Sequence, residues 1–286
     1  MQETPKADFY KKYFNLTDEE FTKMINTHPE LLGYSEASVR QKASFYKKEF
    51  NLTSEEFIKM QKRLPALLSY SKESVKQKAS FYKQVFNLAN EEFKKMLMGL
   101  PMLLCYSEES VRQKVIFYKK EFNLTDEEFI KMLKLLPTLL GLSEESIRQK
   151  KEQILNINIS KKYLINSPSI LTVPTNTLKI RYLILRQVAP KERLLKRMNA
   201  FITNQDKLYA RLAYFKNEKT EDIYLSNLLA YEKLFQQKFG VTTQELIQKY
   251  PITEKVLKNL LETLYDQEKL EFSPSEKQFI EEEYEV

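Results

Sequence analysis

Pro29, Pro65, Pro101 and Pro137 stand 36 residues apart, and Phe21, Phe57, Phe93 and Phe129 keep the same step, as do Leu31, Leu67, Leu103 and Leu139. Repetition at that period describes a chain built from small units that cannot bury their own apolar faces and must stack on one another. It outranks length as a guide, since 286 residues would otherwise suggest one or two ordinary domains. Within one unit, "LTDEEFIKMLKLLP" opens with Thr125 three residues before Glu128, a capping box that recurs at Thr17/Glu20 and Thr53/Glu56. Phe129, Met132, Leu133 and Leu136 follow helical spacing, and Pro137 closes the run because it has no N–H to donate. This spacing predicts a helix of about three turns. In the third copy Ala89 holds the cap position, which predicts a frayed start or one shifted to Asn90.

After the proline there is room for a single turn. Ser35, Ser71, Ser107 and Ser143 then serve as N-caps of a second helix. Its stripe of Val39, Ala43, Tyr46 and Phe50, widened by Phe45, must be buried. The expected fold is all-α, a helical-repeat solenoid of two-helix units with a period of about 36.

Two weaker copies extend the pattern. "NISKKYLINSPSILTVPTNTLKIRYLIL" places Ser160 eight residues before Pro168, predicting a first helix one turn shorter. "FGVTTQELIQKYP" repeats the "FNLTDEEFIKM" opening at Phe239 and closes at Pro251. "DFYKKYFNLT" matches "SFYKKEFNLT", so the chain is expected to begin inside a second helix. Between the weak copies, "APKERLLKRMNAFI" reads as a basic amphipathic helix, with Pro190 at its first position, Leu194, Leu195, Met198 and Phe201 on one face and Arg193, Lys196 and Arg197 on the other. "EEEYEV" has too little apolar content to pack and is expected to be disordered. The expected divisions are repeats over 1–185, a basic helical connector over 186–235, a degenerate repeat or cap over 236–275 and an acidic tail over 276–286.

One Cys and one His exclude a structural zinc site or a disulfide framework. Cys105 shares a column with Gly33, Ser69 and Gly141, where a small side chain is wanted, and His28 shares one with Leu64, Leu100 and Leu136. With four glycines, no phosphate-cradling loop and no paired catalytic groups, neither an enzyme nor a cofactor nor a metal site is expected. No apolar run approaches the ~20 residues of a membrane helix, and Glu3 and Asp8 in "MQETPKADFYKKYF" argue against a transit peptide. A soluble monomer is expected, cytoplasmic or nucleoid-associated in a prokaryote, or else in the mitochondrial matrix or a plastid.

Charge is unevenly placed. Residues 1–151 carry 26 basic and 21 acidic side chains, residues 152–216 carry 12 and 3, and residues 217–286 carry 8 and 15. The first two thirds therefore suit a polyanion. Basic residues recur once per copy: Arg40, Lys76, Arg112, Arg148 and Lys179 in one column, and Lys42, Lys78, Lys114, Lys150 and Arg181 in another. Spacing by two residues sets these columns on opposite flanks of the buried stripe. Lys47, Lys83 and Lys119 lie seven residues beyond the first column and share its flank. These residues, with Arg186, Arg193 and Arg197, are the candidate nucleic-acid contacts, and Arg40, Arg112, Arg148, Arg181 and Arg186 have the guanidinium fork that reads guanine. Side chains so nearly alike from copy to copy suit backbone tracking rather than a one-base-per-repeat code. A protein-interaction scaffold is the alternative, with the C-terminal region as a possible docking site for a protein partner.

The unit formed by "LP-x-LL-x-YS-x-E-S-V-x-x-K" and "FY-x-x-x-F-x-LT-x-x-E-F-x-x-M", with Pro65, Leu67, Leu68 and Ser71 as one instance, resembles the repeat of the mitochondrial transcription termination factor (mTERF) family. The resemblance spans about residues 5–185, and 235–265 more faintly. It implies two helices and a short 3₁₀ turn per repeat, stacked into a curved solenoid whose concave basic face holds double-stranded DNA or structured RNA. It also implies a non-enzymatic role in transcription termination or initiation, or in RNA maturation. The uniformity of the copies and the absence of a visible presequence depart from the family's usual pattern.

Overall fold

The computed structural model describes residues 5–156, 159–190, 193–194, 197 and 199–259. Among them there is no β-strand, and the fold is an all-α helical repeat. Helix α1 (Pro5–Phe14) corresponds to a second helix and precedes the first full repeat. The repeats that follow each have a first helix, a 3₁₀ turn and a second helix. They are α2 (Asp18–Thr27), Pro29–Gly33 and α3 (Glu36–Glu49); α4 (Ser54–Arg63), Pro65–Ser69 and α5 (Lys72–Val85); α6 (Asn90–Gly99), Pro101–Leu104 and α7 (Glu108–Phe122). The series continues with α8 (Asp126–Leu135), Pro137–Gly141 and α9 (Glu144–Asn156), then α10 (Lys161–Asn166), Pro168–Thr172 and α11 (Thr175–Arg186). After these come α12 (Asn199–Ile202), α13 (Gln205–Glu218), the turn Thr220–Asp222, α14 (Leu225–Leu229), α15 (Glu232–Phe239) and α16 (Thr243–Lys249).

The capping boxes form where the sequence places them. Thr53 N–H donates to Glu56 Oε2 at 2.8 Å, and Glu56 N–H donates to Thr53 Oγ1 at 3.1 Å. Thr17/Glu20, Thr125/Glu128 and Thr242/Glu245 close in the same way. In the third copy Ala89 has no side-chain acceptor, yet Glu92 still takes its N–H at 2.9 Å. Helix α6 consequently begins at Asn90, in register with the others. The first helix of the fifth copy has six residues against ten in the four copies before it, the shortening that the Ser160 to Pro168 spacing predicts.

Helices α1, α3, α5 and α7 end by a device that the periodic "FNL" string encodes. Asn15, Asn51, Asn87 and Asn123 adopt φ of 50°, 51°, 47° and 48°. This left-handed step closes the helix, because the N–H of the following Leu16, Leu52, Leu88 or Leu124 returns to the carbonyl of Lys11, Lys47, Lys83 or Lys119 at 2.9–3.0 Å. Asparagine tolerates this region better than other non-glycine residues. In the degenerate copy Gly240, at φ 72°, does the same work.

The chain resolves into two compact units, residues 1–116 with 136–141, and residues 117–135 with 142–286. In the first, the stripe of Val39, Ala43, Tyr46 and Phe50 is buried as its spacing requires. Aromatic rings carry the stacking from copy to copy: Phe14 meets Phe57 at 6.2 Å, and Phe50 meets Phe93 at 5.7 Å. Each fully buried ring or leucine contributes about 1.5–3 kcal/mol. The hydroxyls of Tyr10, Tyr46 and Tyr82 donate to the carbonyls of Leu31, Leu67 and Leu103 at 2.6, 2.8 and 2.9 Å. The 3₁₀ turn of each following repeat is thereby tied to the helix before it.

In the second unit, α13 is the hub. Phe215 packs on Phe235 and Phe239 at 6.0 and 5.1 Å, so helices on either side of residue 236 share one core. Arg211 is fully buried there. It donates to Thr243 Oγ1, to Glu232 Oε2 and to the carbonyls of Leu228 and Ala230, and its guanidinium lies 3.7 Å from the Phe235 ring centre. Burial pulls its pKa down to about 10 against the opposing pull of Glu232. The expected basic amphipathic helix falls partly on residues 191–192, 195–196 and 198, outside the described residues. Of its apolar face Leu194 and Phe201 are buried, and of its basic face Arg193 and Arg197 are exposed. The expected disordered tail also lies outside the described residues.

Candidate nucleic-acid interface

The first basic column occupies one structural position in the first four repeats: the second turn of the second helix, one residue after a buried Val or Ile. Val39, Val75, Val111 and Ile147 anchor it, and Arg40, Lys76, Arg112 and Arg148 are exposed. None of these cations floats free. Arg40 lies over Phe9 and Tyr13 at 5.1 and 5.0 Å, Lys76 over Phe45 at 6.0 Å, Arg112 over Phe81 at 5.1 Å and Arg148 over Phe117 at 5.1 Å. In each case the ring belongs to the second helix of the preceding repeat. The side chains of Arg40 and Arg148 nonetheless stay 58% and 53% exposed, so each guanidinium rests near a ring and still meets solvent. Glu36 approaches Arg40 at 3.9 Å, and Glu144 approaches Arg148 at 3.3 Å. Solvent-exposed ion pairs of this kind are worth ~0–1 kcal/mol, little enough for a phosphate to replace the carboxylate. Around Arg40 the surface is recessed into a pocket of about 530 Å³ lined by Pro5, Asp8, Phe9, Lys12, Tyr13 and Glu36.

The second column is spent on the fold. Lys42 Nζ donates to the Tyr70 carbonyl at 3.0 Å, and Lys78 donates to the Tyr106 carbonyl. Each thus caps the 3₁₀ turn of the next repeat. Burial, helped by the nearby Lys72 charge, lowers the Lys42 pKa. Lys150 is buried and burial alone pulls it down to about 8. Arg181, the copy of this column on α11, is half-buried and gives its Nη1 to the Phe201 carbonyl at 2.8 Å, with burial lowering its pKa. Arg186 is half-buried and donates to the Ala189 carbonyl at 3.2 Å. Neither arginine stands with the exposed cations.

Lys47, Lys83 and Lys119 are half-exposed and turn toward the first residue of the next helix. Lys47 reaches Ser54 Oγ at 3.3 Å, Lys83 reaches Asn90 Oδ1 at 3.1 Å and Lys119 reaches Asp126 Oδ1 at 2.7 Å. Lys179 on α11 is half-buried. Within the first unit, Arg40, Lys76 and Arg112 are therefore the most accessible of the predicted contacts, with Arg148 their counterpart in the second.

Sequence reasoning did not find the rings beneath these cations. The signal was present, since each phenylalanine precedes its cation by 31 residues in all four instances. At two positions of the small-residue column a tyrosine stands close: the Tyr70 hydroxyl sits 3.0 Å from Cys105 Sγ, and the Tyr106 hydroxyl would lie 3.1 Å from a Cβ at Gly141, whereas a Cβ at Gly33 would meet nothing within 4 Å. His28 caps α2 and sits beside Glu30 at 3.1 Å. Among the described residues no group of three or more His, Cys, Asp or Glu side chains is placed to hold a metal ion. No helix there is long and apolar enough to cross a membrane.

No curated protein matches the chain. The family model that matches is mTERF, over residues 2–125, the stretch that contains α1, the first three repeats and three of the four ring-backed cations. That match and the two-helix, 3₁₀-turn repeat support membership of the mTERF family, with the similarity carried by residues 2–125.

Proposed function

We propose that the protein binds double-stranded DNA or structured RNA without catalysing a reaction on it, through the cations its second helices present once per repeat. The reading rests on one observation: Arg40, Lys76, Arg112 and Arg148 occupy one position in successive repeats, exposed and backed by a ring. Members of the mTERF family are generally nucleic-acid binders. Regularly spaced cations neutralise phosphates and gain affinity from the counterions released. Their near-identity from repeat to repeat suits contact with the backbone, which positions a nucleic acid without reading its sequence. Regulation of transcription termination or initiation, or of RNA maturation, is the role we assign to that binding.

Fluorescence anisotropy with a mixed-sequence duplex, a structured RNA and a single strand tests this reading. The duplex or the structured RNA is expected to bind at low salt, and Arg112→Glu/Arg148→Glu is expected to weaken binding at least about tenfold while leaving helix content intact. Failure to bind any of the three, or an unchanged affinity in the double variant, would overturn it. A protein partner at the C-terminal region is the second reading, favoured by Tyr224, Tyr231 and Leu234, large apolar side chains 56%, 82% and 58% exposed.

A further inference from the structure

We infer that Phe9, Phe45, Phe81 and Phe117 are positioning residues of the interface, each holding the cation of the next repeat so that its N–H groups face outward. This rests on the function proposed above and assigns a role to side chains that touch no ligand. Three of the four cations are arginines 5.1 Å from their rings, whereas the second repeat has Lys76 at 6.0 Å, sharing Phe45 with Lys72 at 5.9 Å. A guanidinium can lie flat on a ring and still present two parallel N–H groups at its edge, while an ammonium is a point charge with freely rotating donors. Stacking removes rotamers from a side chain whose full freedom costs about 2 kcal/mol to suppress, so less is lost when a phosphate is bound. The four arrangements are alike although the helix residues around them vary. Ser44 and Ser80 are replaced by Ile116 and Glu152, and Gln84 stands where Lys48 and Lys120 stand.

The second repeat offers a gain-of-function test, because Lys76→Arg recreates the pair the other repeats already have. Lys76→Arg is expected to tighten binding of a DNA duplex or structured RNA about threefold, the effect of one exposed cation–ring pair with a better fork. In the Phe45→Leu background that gain should vanish, and in the Phe45→Tyr background it should persist. An equal gain with and without the ring would overturn the inference, since charge and fork alone would then explain it. A second measurement needs no nucleic acid: nuclear-spin relaxation of the arginine Nε–H groups in the free protein. Arg148 should be ordered in the unaltered chain and mobile in Phe117→Leu; equal mobility in both would also overturn the positioning role. If the unaltered protein binds no nucleic acid while Arg148 is freed in Phe117→Leu, the proposed function fails and the ring's hold on the cation stands, so the two failures are distinguishable.

Discussion

Tyr46 shows how much one side chain in such a repeat must do. Its ring fills the core beside Phe57 at 5.8 Å, and its hydroxyl, cut off from water, binds the carbonyl of Leu67. Burial raises the pKa of Tyr10 to about 12 and pushes Tyr46, Tyr82 and Tyr118 up as well. The consequence for stability has a definite sign. Unfolded tyrosines ionise near pH 10, so this contribution is complete below that value and is lost as pH rises toward the folded pKa values. Urea unfolding is expected to show a stability plateau up to about pH 10 and a steep fall toward pH 12, with the phenolate absorbance of the buried tyrosines appearing only as the fold is lost. Titration of all the tyrosines near pH 10 without unfolding would contradict this account. The burial of these rings was legible from helical spacing, and the accepting carbonyl was not, because it lies 21 residues away and is reached only when repeats stack. Asn51 was half-legible: the string "FNL" recurs visibly, but its left-handed backbone is recognised only when asparagine's tolerance of that region is considered.

At the scale of the element, caps decide where helices start and stop, and here the sequence was most informative. Four Thr/Glu boxes close as spaced, and the Ser160 to Pro168 interval sets a six-residue helix. The defective cap at Ala89 cost the helix nothing in register. Asn90 remains its first residue, because Phe93 and Met96 must still reach the core and Glu92 still binds the cap N–H. The missing half of the box is therefore a loss of stability rather than of structure. Ala89→Thr is expected to stabilise the protein by about 0.5–2 kcal/mol, read as a higher urea midpoint, and an unchanged or lower midpoint would contradict it. The packing around Arg211 was hidden for the opposite reason. Its partners come from α13, α15 and α16 together, and a buried arginine inside "LYARLAYF" has no local period to betray it.

For the whole molecule, the uneven charge reaches its clearest form in the division of labour between two basic columns that look equivalent in sequence. Lys42 and Lys78 tie repeats together, whereas Arg40, Lys76, Arg112 and Arg148 remain open to solvent. Spacing by two residues announced that the columns face different ways; which of them faces outward depends on the neighbouring repeat's carbonyls and rings. If the exposed cations hold phosphates, the salt dependence of binding counts them. The most direct measurement is therefore duplex affinity across a series of salt concentrations, for the unaltered protein and for Arg112→Gln/Arg148→Gln. About four phosphate contacts predict a log–log slope near −3.6, and removing two of the cations should make it shallower by about 2. A slope near zero, or one the double substitution leaves unchanged, would contradict the account.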